Sequence, residues 1–132
     1  MTALCVLPIP GVGEIRPGDP LVETFLAALT AHRMEFVRGD ILVVTHKVVS
    51  KAEGQIVALD TVKPSADARR WARRYHLDPR VVQLALTDAA GVVRREHGVT
   101  ITETRHGFIC ANSGVDLSNV DGGHSAVLLP RD

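Results

Sequence analysis

Apolar and polar positions along the chain alternate between two periods, and their order predicts a mixed fold. Residues 4–7 form a short apolar run closed by Pro8 and Pro10, which reads as a strand. Asp19-Pro20 then offers an Asp cap with Pro at the first helical position. Leu21, Val22, Phe25, Leu26 and Leu29 follow at helical spacing and make one apolar face. Arg38-Gly39-Asp40 is a turn, and the β-branched run over residues 41–45 predicts a buried strand. His46, Lys47 and Lys51 arrive where that strand ends, ahead of a turn at Gly54 and a further apolar run over 55–59.

The middle of the chain is helical in pattern. Ser65 caps a helix with Asp67 in its first turn, where a carboxylate suits the helix dipole. Arg69, Arg70, Arg73 and Arg74 share one stripe of it, and Ala68, Trp71, Ala72 and Tyr75 cover the rest. Asp78-Pro79 repeats the Asp-Pro start, with Val81, Val82, Leu84, Ala85 and Leu86 on the apolar side. Residues 92–95 and 99–103 read as strands, the second with Val99 and Ile101 inward and Thr100 and Thr102 outward. Residues 108–111 predict a short buried strand between Gly107 and Gly114, and 126–129 a last one. Short strands and about three helices without βαβ regularity point to an α+β fold with a mixed short-stranded sheet. Residues 1–132 are expected to form a single domain.

Composition adds limits rather than a function. The chain has 132 residues, of which 45% are hydrophobic and 23% charged, as in ordinary globular domains. Fifteen basic residues balance fifteen acidic ones, so neither nucleic acid nor an anionic membrane is an expected partner, and the arginine stripe reads as a solvated face or a contact with a partner subunit. No apolar run reaches membrane-span length, and residues 1–10 lack the pattern of a secretory signal. A cytoplasmic location is the expectation. Cys5 and Cys110 sit in apolar, strand-like settings and are expected to be free buried thiols.

Candidate chemistry gathers in three places. Pro10-Gly11-Val12-Gly13 is a loop whose backbone N–H groups could approach a phosphate; a plain turn is the alternative. Lys47 and Lys51, four apart beside His46 and Glu53, could grip a polyphosphate with two point charges. Residues 104–120 carry Arg105, His106, Asn112, Ser113, Asp116, Ser118 and Asn119 around one apolar run. A carboxylate and an amide at Asp116 and Asn119 suit a hard cation and its phosphate oxygens. The alternative there is an Asx-rich turn that satisfies its own backbone. A metal-dependent hydrolase built on His106 and Asp116 lacks the spaced histidines a zinc site needs.

The stretches Val44-Thr45-His46-Lys47-Val48-Val49-Ser50-Lys51-Ala52-Glu53-Gly54 and Glu103-Thr104-Arg105-His106-Gly107-Phe108-Ile109-Cys110-Ala111-Asn112-Ser113-Gly114-Val115-Asp116-Leu117-Ser118-Asn119-Val120 together resemble the coenzyme F420-0:L-glutamate ligase, or gamma-glutamyl ligase, family. The resemblance runs from Leu7 to Leu128-Leu129-Pro130. It implies the first part of a two-part α+β fold and a homodimer. It also implies ligation of L-glutamate to coenzyme F420-0 with GTP and Mg2+ or Mn2+. Carried over by position, Pro10, Gly11, Val12 and Gly13 would lie beside the nucleotide. His46, Lys47 and Lys51 would hold its phosphates, Asn119 would contact GTP, and Asp116 would hold the metal. Transfer of a phosphoryl group to the F420-0 carboxylate would make it electrophilic as an acyl phosphate, a step that depends on positioning and charge neutralisation. Two departures from the family pattern stand out. Pro10 and Gly13 occupy positions where relatives often carry Glu and Pro. Family members also continue into a second half with further metal ligands, so the resemblance implies a truncated or partial form. A noncatalytic nucleotide- or deazaflavin-binding module of the same fold is the competing expectation.

Overall fold

The computed structural model describes residues 3–118 and 121–131. Its elements are α1 (Leu21–Ala31), α2 (His46–Ala52), β1 (Ile56–Ala58), α3 (Ala66–Tyr75), α4 (Pro79–Asp88), β2 (Ala89–Glu96), β3 (Val99–Thr104), β4 (Ile109–Ala111) and β5 (Ser125–Val127). The class is α+β. Two small antiparallel sheets carry the strands, one pairing β1 with β5 and one running β2-β3-β4.

The helix pair α3–α4 is built from local signals. Ser65 Oγ accepts from Ala68 N at 3.2 Å, and Asp78 Oδ1 accepts from Arg80 N at 2.8 Å, so each helix begins on its own side-chain cap. α3 stops at His76, whose φ of 55° is left-handed. Ala68, Ala72 and Val82 pack between the two helices with Trp71 and Leu86. Their small side chains let the helices approach. The arginine stripe faces outward, where Arg70 pairs with Asp67, and Arg95 reaches Asp67 while lying 4.3 Å from the Trp71 ring centroid. A second cluster joins Leu59, Leu84 and Ala126 to Val57, Val62, Val81, Val115 and Leu128, so the β1–β5 sheet rests on α4.

The β2-β3-β4 meander keeps the expected period of two but with the opposite phase. Thr100, Thr102 and Thr104 are buried, whereas Val99 is exposed and Ile101 half-buried. A one-residue change of phase exchanges the faces of a strand. Two of the buried hydroxyls have partners: Thr102 donates to Cys110 O at 3.2 Å, and Thr104 Oγ1 accepts from Phe108 N at 3.2 Å. Ser113 ties this sheet to α4. Its hydroxyl donates to Ala85 O at 2.6 Å, its amide donates to Thr102 Oγ1 at 2.9 Å, and its own φ is 54°.

Several further expectations are corrected. Residues 46–52, read as a strand end and turn, form a fourth helix that packs on β5. The β-branched Val48 and Val49 are weak helix formers, and tertiary packing overrides that weak preference. Asp19 does not cap α1; its carboxylate accepts from Arg16 N at 2.7 Å and Pro20 stands at the cap position. Val22 and Leu26 on α1 are exposed, as are Phe108 and Ile109 at the start of β4. Cys5 and Cys110 are free, yet Cys5 is exposed rather than buried. Residues 4–7 and 41–45 belong to no strand or helix, with Ile41 85% and Val43 87% exposed.

Candidate functional site

The candidate site forms where α2 crosses β5. Asp116 is locked to that strand by two backbone bonds: its amide donates to Val127 O at 2.9 Å, and its carbonyl accepts from Val127 N at 2.8 Å. Its carboxylate therefore projects from a fixed point toward α2. Lys47, in the first turn of α2, meets it with Nζ 3.3 Å from Oδ2 and donates to Ser118 Oγ at 2.8 Å. Ser118 N donates to Asp116 Oδ1 at 2.6 Å, so the Asx turn foreseen as the alternative is present. It does not exclude a site, because the same carboxylate also faces the lysine.

The electrostatics follow from these neighbours. Ser118, through its hydroxyl and its amide, stabilises the ionised carboxylate most, and the Lys47 ammonium adds to this against a cost of partial burial. Together they lower the Asp116 pKa from 3.8 to about 2. At neutral pH it is a full negative charge.

One helical turn beyond Lys47, Lys51 lies on the same face of α2 and is 8% exposed. Its ammonium bonds to the Glu14 carboxylate, which follows directly on the loop of Pro10, Gly11, Val12 and Gly13. That contact and the bond from Gly18 N to Ala52 O at 2.7 Å bring the first loop's trailing segment against α2. The loop turns at Gly11, whose φ is 78°; a Cβ there would lie 2.8 Å from His32 Nε2. Another side chain would meet both strain and the histidine.

The neighbouring row of α2 carries two enclosed polar atoms. His46 Nε2 and Ser50 Oγ are buried and have no hydrogen-bond partner among the described residues. His46, Lys47, Lys51 and Asp116 are thus gathered at one place in the fold, while Asn119 lies outside the described residues. Sequence reasoning missed Glu14, and it counted Ser118 in the polar stretch without giving it a role. Ser118 could have been found from its spacing of two from Asp116; Glu14 carried no comparable signal beyond following a glycine loop.

Arg105 and His106 go elsewhere. Arg105 donates to Pro130 O at 3.1 Å and sits 3.6 Å from Asp88, and His106 Nε2 lies 3.3 Å from Arg131 O. Glu53 accepts from Arg131 N. These side chains strap residues 129–131 to the body.

The donor set was weighed against a divalent cation. Among the described residues no three His, Cys, Asp or Glu side chains converge. The single ionised carboxylate of Asp116 fits a Mg2+-type ion, which takes one or two carboxylates and fills its shell with phosphate oxygens and water. It does not make a cage by itself. No described helix is long and apolar enough to cross a membrane.

The model of the F420-0:Gamma-glutamyl ligase family matches residues 11–132. A protein of Methanopyrus kandleri named coenzyme F420:L-glutamate ligase is 42% identical over 132 residues, covering 100% of this chain and 50% of that protein. The protein of the same name from Methanothermobacter thermautotrophicus is 39% identical over 98% of this chain and 51% of its own length. That from Archaeoglobus fulgidus is 36% identical over 96% of this chain and 48% of its own. The chain spans about half the length of these curated relatives.

Proposed function

Because this chain belongs to the F420-0:gamma-glutamyl ligase family, we propose that it is the N-terminal half of a ligase joining L-glutamate to coenzyme F420-0. The reaction would consume GTP, require Mg2+ or Mn2+, and pass through an acyl phosphate. The observation that carries this reading is the 42% identity, over the whole chain, to a protein named for that ligation.

The side chains suit the chemistry. Lys47 and Lys51 present two ammonium groups from one helix face, each now held by a carboxylate that phosphate oxygens could replace. Charge-assisted contacts of this kind contribute about 1.5–3 kcal/mol each, enough to place a triphosphate. His46, with its enclosed Nε2, lies beside them. The Pro10–Gly13 loop would offer backbone N–H groups, and Asn119 a further contact to GTP. Asp116 would hold the cation, and the cation would neutralise phosphate charge when bound. We place the enzyme as a homodimer in the cytoplasm.

A noncatalytic nucleotide-binding module is the second reading, favoured by Lys47 and Lys51 on one face of α2, which suit phosphate whether or not a reaction follows. One assay separates the two. The chain, with and without the remaining half of a relative, is incubated with GTP, Mn2+, F420-0 and L-glutamate. Glutamate-dependent GDP release, with a product heavier by one glutamyl residue when both halves are present, is the expected result. GTP binding without any such product under either condition would leave only the module.

A further inference from the structure

Residues 41–45, Ile-Leu-Val-Val-Thr, have among the strongest strand-forming compositions in the chain, yet no strand among the described residues pairs with them. Residues 4–7 are in the same state, with Leu4 91% exposed. Nearly half of the exposed large apolar side chains among the described residues fall in 4–7 and 36–43. Natural proteins do not leave extended apolar edges uncovered, because such edges pair with whatever chain offers a strand.

We propose that residues 41–45, with 4–7 as a second such segment, form a strand-addition seam for the polypeptide that makes up the other half of the family's longer members. This rests on the reading of the chain as half of a ligase. Two observations choose that occupant. The relatives carry about as much chain again as is matched here, so a polypeptide long enough to cover this surface belongs to the family's longer members. The seam also leads directly into α2, so a strand paired with residues 41–45 ends beside Lys47 and Asp116, where no three His, Cys, Asp or Glu side chains converge among the described residues. A second copy of this chain could pair with the same edge but would bring the same short donor set. Backbone hydrogen bonds would supply the attachment and the alternating apolar side chains the register.

The test is association rather than catalysis. This chain, carrying a purification tag, is co-expressed with the second half of the Methanopyrus kandleri relative. The wild type should recover that half in equimolar amount. Val43→Lys should reduce recovery about ten-fold or more. Val93→Lys, on the exposed face of β2, should leave recovery unchanged. The urea midpoint of the Val43→Lys chain alone should match the wild type, showing that a lost complex is not a lost fold. Amide exchange at residues 41–45 should slow in the wild-type complex. Undiminished recovery by Val43→Lys, no recovery by the wild type, unprotected amides at 41–45 in the complex, or a self-dimer that Val43→Lys abolishes would each overturn the seam. A complex that forms normally but makes no glutamylated product would instead remove the ligase reading and leave the seam in place.

Discussion

The α3–α4 pair with its sheet and the N-terminal stretch through residue 45 solve the same problem with opposite success. In the first, each element closes against another of this chain: capped helices, a phase-locked meander, and Ser113 bonded to both a helix carbonyl and a strand hydroxyl. In the second, α1 buries Ala28 and Leu29 but leaves Val22 and Leu26 outside, and residues 41–45 have no paired neighbour. The compositions do not explain this, since the second region is no less apolar. Availability of a complementary surface does. Pattern in a sequence specifies what an element needs; only the rest of the assembly decides whether the need is met.

Substitutions can break or sharpen that contrast. Ser113→Val should be the most damaging, because it places a β-branched side chain at a φ of 54° in a fully buried position and removes two hydrogen bonds. We expect a loss of about 3 kcal/mol in urea unfolding; a loss under about 1 kcal/mol would mean that this junction does not hold sheet to helix. Asp78→Ala should cost about 1 kcal/mol through its lost cap, read by the same melts.

Asp116→Asn probes the boundary between the regions. The folded carboxylate has a pKa of about 2 against 3.8 unperturbed, so its contribution is present above pH 3.8 and is lost as pH falls toward about 2. With allowance for solvent screening we expect about 1 kcal/mol. Stability curves of wild type and variant should converge across that window; parallel curves would show that Lys47 and Ser118 are not acting on this group. Val43→Thr should change stability by less than about 0.5 kcal/mol, since its side chain is already in water. A cost of about 2 kcal/mol would contradict the open region outright.

Legibility from sequence followed the range of the interactions. Ser65 and Asp78 announced α3 and α4 correctly, because a cap is satisfied within three residues. The period of β3 was readable, but its phase was not. Alternation alone turns the threonine hydroxyls toward water, whereas Cys110 O, Phe108 N and Ser113 supply partners from eight or more residues away or across a turn. α2 was missed because its helical state depends on packing against β5, some seventy residues later. At the site, Lys47, Lys51 and Asp116 were legible as residue types at strand ends. Their meeting depends on the Asp116–Val127 bridge, which no local pattern encodes.

That bridge makes the Asp116 backbone a fixed post, while Lys47 reaches it from α2 through a four-carbon side chain with several rotatable bonds. Any adjustment to an arriving anion therefore falls to the lysine. Exchange of length should be unequal on the two sides: Lys47→Arg can adapt by choosing another rotamer, but Asp116→Glu pushes its charge outward by one methylene with no give behind it.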